Sequence, residues 1–218
     1  MRSNTKTDEV DKFMAPPAKE TTSLFQEMRT SLLNILSVFK MAKFYLVVML
    51  PFYYGAHFTF VHSEMTRAFA SCIFGLRFVS LAMMIYTSSV AFSSFTFGII
   101  ASHKGVSIPF SLGFSIDMTL YTACLCINPN NITLNVILLI FGGFGVTAGI
   151  WSTLVVEVIR TKLPKDVSSV VWALLFNLGC AAMTSISLLL CVVYKIYLMA
   201  GILFLSMVLY AIDVVLLK

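Results

Sequence analysis

Glu64, Arg67 and Arg77 fall within FTFVHSEMTRAFASCIFGLRF, residues 58–78, and the sequence on either side is apolar enough for lipid. Groups so placed must face water, pair with one another, or line a polar site. Glu64 and Arg67 fall in the turn between two apolar stretches, and at a spacing of three they can pair on one helical face, where a solvated pair contributes little. Arg77 lies roughly 6–8 Å further in at ~1.5 Å per residue, and either snorkels outward along its aliphatic stem or faces a bundle interior. Asp117 is the sharper case: it lies about eleven residues into an apolar run, near mid-membrane at ~1.5 Å of rise per residue. On insertion scales such an acid costs roughly 2.5–3.5 kcal/mol, which about five to ten apolar residues at roughly 0.3–0.6 kcal/mol each can offset. It must therefore face protein or a cavity, either hydrogen-bonded to a helix neighbour or as part of a functional centre. His57 and Asn177 are softer versions of the same signal and read as interhelical hydrogen-bonding groups. Glu157 and Asp213 fall near a membrane edge, close to Arg160 and Lys218.

The elements that must position these groups follow from composition. Hydrophobic residues make up 59% of the 218 and charged ones 11%, against roughly 25% charged in soluble domains. Lipid must be the solvent for most of such a chain. Six stretches are long enough to cross a bilayer, at 44–62, 73–101, 106–127, 132–157, 167–191 and 195–216. Short polar breaks (HKGVS, INPNN, RTKLPKD, VYK) imply antiparallel neighbours. Residues 1–22 read as a polar tail that mixes both charges with Pro and Thr. Residues 23–42 read as an amphipathic helix along the lipid surface, with Phe25, Met28, Leu32, Ile35, Leu36 and Phe39 on one stripe and Ser23 and Gln26 as a capping box. The domain proper is 43–218, and the fold class is all-α: an integral membrane six-helix bundle.

Lys and Arg bias places the N- and C-termini in the cytosol, with Lys40, Lys43, Lys104, Arg160, Lys162, Lys165 and Lys218 on that side and Arg67, Arg77 and Lys195 on the other. Asn131-Ile132-Thr133 is an N-glycosylation sequon, and it falls on the outer face in this arrangement.

Other chemistries find no footing in the sequence. The net charge of +5 is split between tail and loops with no basic stripe, so nucleic acid is not an expected partner. The five cysteines have neither zinc nor redox spacing and read mainly as small buried thiols, although one bridge among Cys72, Cys124, Cys126 and Cys191 is open. No nucleophile elbow, P-loop or paired-carboxylate pattern occurs, so neither an enzyme, a metal nor a cofactor is expected. In GGFGVTAGIW, Gly142, Gly145, Ala148 and Gly149 are spaced for close helix approach, and Gly55, Gly75, Gly98 and Gly113 suggest the same elsewhere.

Several blocks carry a family resemblance: LPFYYGAHFTFVHSEMTRAFASCIFGLRFVS, FGIIASHKG, FGGFGVTAGIWSTL, WALLFNLGC and VYKIYLMAGILFLSMVLYAI. In this order they resemble the C-terminal half of the Unc-ninety-three-like family, of the major facilitator type, over about residues 30–216. The chain departs from that pattern at Gly105-Val106, where Gly–Arg is usual, and at Ser152, where Gln is usual; GVTAG also lacks an acidic residue before Trp151. The resemblance implies one half of a facilitator fold and a non-enzymatic accessory role, regulating a potassium-channel complex. It also implies two alternatives, a receptor-trafficking escort and a solute or proton-coupled transporter that needs a second half. The implied partners are membrane lipid and a client (a channel subunit or receptor) or a missing N-terminal half. Glu64, Arg67, Arg77 and Asp117 are the candidate client or cavity residues.

Overall fold

The computed structural model describes residues 42–127, 133–163 and 165–216, and every regular element among them is helical. The expected tail, the amphipathic helix up to Met41 and the Asn131 sequon lie outside the described residues. Helix α1, Ala42–Thr59, runs unbroken into a π-helix, Phe60–Ser71, and then one α-turn, Cys72–Phe74. Beyond it come α2 (Leu76–Lys104), α3 (Ser107–Cys126), α4 (Leu134–Lys162), α5 (Lys165–Leu189) and α6 (Val192–Leu216). Two sharp turns rest on glycines in the left-handed region, Gly75 at φ 89° and Gly105 at φ 81°, where a side chain would be strained.

Helices α2 to α6 are each long and apolar enough to cross a bilayer. The first expected span, 44–62, is not among these five, which are drawn from the described residues. Its helix nevertheless continues through the whole charged stretch, which corrects the expectation of a turn at Glu64 and Arg67. The reversal comes at Gly75, so Arg77 stands in the first turn of α2 beside that reversal rather than deeper than Glu64. The architecture is an all-α integral membrane helical bundle.

Helix α4 is the most buried element, with Phe141, Phe144, Ile150, Trp151, Leu154 and Val155 in the core. Lipid supplies no hydrophobic drive between helices, so close backbone contact has to hold them. A side chain on Gly149 would collide with Ser93 Oγ and Val90 O of α2, and one on Gly145 with Tyr86 O. A second close pair is reciprocal: Gly55 of α1 meets the Phe176 backbone of α5, and Gly179 of α5 meets the Phe52 backbone. Gly113 is tight against Ile150 and Trp151, whereas Gly98 has room and Gly75 serves as the turn.

Candidate functional site

Three helices each contribute an i,i+4 pair to one interior polar centre: Tyr53 and His57 from α1, Asp117 and Tyr121 from α3, Thr147 and Trp151 from α4. Side chains four apart lie on the same helical face, so each helix presents two groups inward together. Asp117 is fully buried. Its Oδ2 accepts from Tyr53 Oη at 2.7 Å and from Trp151 Nε1 at 2.6 Å. Tyr53 and Tyr121 share a hydrogen bond between hydroxyls at 3.0 Å. His57 Nε2 stands 3.5 Å from Thr147 Oγ1, at the limit of hydrogen bonding, and 3.5 Å from Asp117 Oδ1 without a hydrogen bond. His57 Nδ1 and Asp117 Oδ1 have no hydrogen-bond partner. Aromatic rings wall the centre: Trp151 lies edge-on to Tyr53 and to Phe110, both at 5.4 Å, and Phe144 lies against His57 at 5.6 Å.

A second buried charge pair closes the Gly75 end of the bundle. Lys195 Nζ, in the first turn of α6, is 2.8 Å from Glu64 Oε2, with side-chain exposures of 2% and 4%. The ammonium hydrogen-bonds Ser187 O of α5 at 3.0 Å, while its contact with Glu64 is an ion contact without hydrogen-bond alignment. This corrects the reading of Glu64 as half of a solvated pair with Arg67. Both arginines, 67 and 77, are exposed. The four candidate residues therefore do not form one site: Glu64 and Asp117 are interior and belong to separate pairs, and Arg67 and Arg77 face outward.

The remaining polar positions divide similarly. His57 does join helices, as expected. Asn177 does not: it is exposed and donates to Ala173 O of its own helix at 2.7 Å. Glu157 lies 3.8 Å from Arg160, both accessible, as an edge pair should be, and the Asp213 side chain lies outside the described residues. All five cysteines are free; Cys124 is buried, but Cys72, Cys126 and Cys191 are exposed, contrary to the buried-thiol reading. Among the described residues no cluster of three or more His, Cys, Asp or Glu could hold a metal ion. The sequence singled out Asp117 and His57 but missed Tyr53, Tyr121, Thr147 and Trp151. Their signal was an i,i+4 companion on each of the three helices.

Fold and interior thus define a multi-pass helical membrane protein whose buried charges are met by other side chains of the bundle. The chain is similar to protein unc-93 homolog A from Homo sapiens, 27% identical over 183 residues, covering 83% of this chain and 40% of the relative. The homologue from Mus musculus is 26% identical over 181 residues, 82% of this chain and 40% of the relative. That from Danio rerio is 25% identical over 167 residues, 76% and 36%. The Unc-93-like resemblance is borne out, and the chain spans about two fifths of the length of these relatives. No family model matches the chain. No solved structure matches it either.

Proposed function

We propose that this chain is a non-enzymatic accessory protein of a membrane complex that regulates an ion channel, with a potassium-channel subunit as client. The observation that carries the reading is how its charge is used. Glu64 is met by Lys195, and Asp117 by Tyr53 and Trp151 beside His57, which ties α1, the π-helix, α3, α4 and α6 together inside the bundle. Arg67 and Arg77 at the Gly75 end stay exposed. Among the described residues no acid remains there to neutralise them, because Glu64 is taken and the next acid along the chain is Asp117. Similarity to unc-93 homologues supports a membrane accessory role, and the resemblance in sequence blocks points to channel regulation. Tagged protein purified in mild detergent from its native membranes is expected to bring a potassium-channel pore subunit in stoichiometric amount. Arg67→Ala with Arg77→Ala should lower that recovery several-fold without changing extraction. Recovery of the chain without any channel subunit, at undiminished yield, sinks the proposal.

One observation favours a second reading, solute or proton-coupled transport with a further helical half: His57 Nδ1 and Asp117 Oδ1 are buried without hydrogen bonds. Intramembrane ionisable pairs mark ion and proton pathways in transporters. If reconstituted protein moves a solute, Asp117→Asn should alter the pH dependence of uptake; an unchanged profile removes Asp117 from the mechanism.

A further inference from the structure

Helices α2 and α4 run parallel and keep one register along their seam. Gly142 lies against Ile85 and Ser89, Gly145 against Tyr86, Gly149 against Val90 and Ser93, and Thr153 against Gly98, so both helices advance together toward the Gly105 end. Eleven residues make close to three whole turns at ~3.6 residues per turn, so a side chain eleven positions further on returns to the same face. Eleven beyond Ser93 is Lys104, and eleven beyond Gly149 is Arg160. Two cations therefore stand opposite each other, in the last turns of α2 and α4, on the faces by which the two helices meet. The seam is open where they stand. Ser93 is buried beside Gly149, whereas Val156, two turns beyond Gly149 on the same face, is 53% exposed, and the Arg160 side chain is 70% exposed. The close glycine contacts have run out by Gly98, where an added Cβ would meet only Thr153, at 3.9 Å. What remains is a cleft between two helix ends, with Val156 and half-buried Ile100 at its floor and Lys104 and Arg160 at its rim.

Retention of cationic loops in the cytosol requires cations near the helix ends, not cations that share a helix seam. Glu157 does not satisfy this pair: its Oε2 is 3.8 Å from Arg160 Nε within one helix, an accessible contact of the kind that water screens. Two like charges converging over an apolar floor suit one anion carried on an apolar stem. We infer that this cleft binds the phosphate headgroup of an anionic lipid at the Gly105 end, the side that Lys and Arg bias assigns to the cytosol. Lys104 and Arg160 meet the phosphate, and an acyl chain follows Val156 into the bilayer. Arg brings a planar fork that matches phosphate oxygens in pairs, and Lys brings a compact point charge. Packed helix axes lie ~8–10 Å apart, a span that two long side chains can bridge onto a single phosphate. Basic pockets between membrane helices on the cytosolic side recur as sites for lipid phosphates. Cations that served only to complement the carbonyl ends of α2 and α4 would show no preference among headgroups.

The test titrates the purified full chain in nonionic detergent with fluorescent phosphatidic acid, and in parallel with phosphatidylcholine carrying the same label. Saturable binding of phosphatidic acid is expected, with phosphatidylcholine much weaker and glycerol phosphate unable to displace the bound lipid. At roughly fivefold per cation, Lys104→Gln with Arg160→Gln should weaken binding at least about tenfold. Arg67→Gln with Arg77→Gln removes the same net charge from the Gly75 end and should change binding by less than about twofold. Equal weakening by the two pairs would reduce the effect to overall charge and overturn the site, as would equal binding of phosphatidylcholine. Displacement by glycerol phosphate would make the ligand a soluble anion and overturn the lipid assignment. If the Lys104→Gln, Arg160→Gln chain loses the protection of buried Cys124 against a maleimide, Lys104→Gln alone decides. Weakening of about fivefold is then expected, and a change of less than about twofold overturns the proposal.

Discussion

Asp117 brings a carboxylate to the centre of the bundle, and the hydrogen bonds from Tyr53 and Trp151 are what make it tolerable there. Exchanging the residue separates charge from hydrogen bonding. Asp117→Asn keeps an oxygen able to accept from both donors, whereas Asp117→Leu leaves the Trp151 N–H buried without an acceptor, at about 1–3 kcal/mol. The thermal midpoint in detergent should therefore fall further for Leu than for Asn. Equal midpoints would mean that the two hydrogen bonds contribute nothing. Asp117 was legible in the sequence because an acid in an apolar run has to be met by something. Its donors were not, because Tyr53 and Trp151 are amphipathic residues that sit in any membrane helix without comment. Glu64 was misread for a related reason. Its sequence neighbour Arg67 is the obvious partner at a spacing of three, while Lys195, 131 positions later by number, can be found only once the π-helix and α6 are packed.

The helices themselves pack through two glycine seams that differ in how visible they are. GGFGVTAG announces close approach by its spacing, and Gly145 and Gly149 do meet α2 backbone to backbone. Gly179 carried no such signal, since a lone glycine in α5 acquires meaning only against the Phe52 and Ala56 backbone of α1. Gly149→Val should destabilise the bundle by at least the roughly 1–3 kcal/mol typical of overpacking, because a Cβ there meets backbone that cannot yield. Gly201 has nothing within 4 Å of an added Cβ, so Gly201→Ala should be neutral or stabilise α6 by up to about 1 kcal/mol. Detergent-resistance midpoints for the two variants separate seam from propensity; similar losses for both would contradict the seam. The π geometry of residues 60–71 was beyond the sequence altogether. Four of its buried positions, Phe60, Val61, Glu64 and Met65, recur at the four-residue step of an ordinary α-helix, so only Ala70 sets it apart, and the charges suggested a turn where the helix in fact continues.

At the scale of the whole molecule, the helix ends sort the cations. The Gly105 end carries Lys104, Arg160 and Lys162, while the Gly75 end carries Arg67, Arg77 and Lys195, the last neutralised by Glu64. Cationic loops are retained in the cytosol. Of the exposed cysteines, Cys72 stands just before the Gly75 reversal and Cys191 lies between α5 and α6, so both report on the same end. A membrane-impermeant maleimide applied to intact cells with the chain at their surface should modify Cys72 and Cys191 and spare buried Cys124. Glu64 does not enter this charge count because Lys195 cancels it, so Lys195→Met with Glu64→Leu should leave the labelling pattern unchanged. Modification of Cys72 and Cys191 only after permeabilisation would place the Gly75 end in the cytosol. Arg67 and Arg77 would then face cytosolic partners, and the client contact proposed for them would have to be sought on that side.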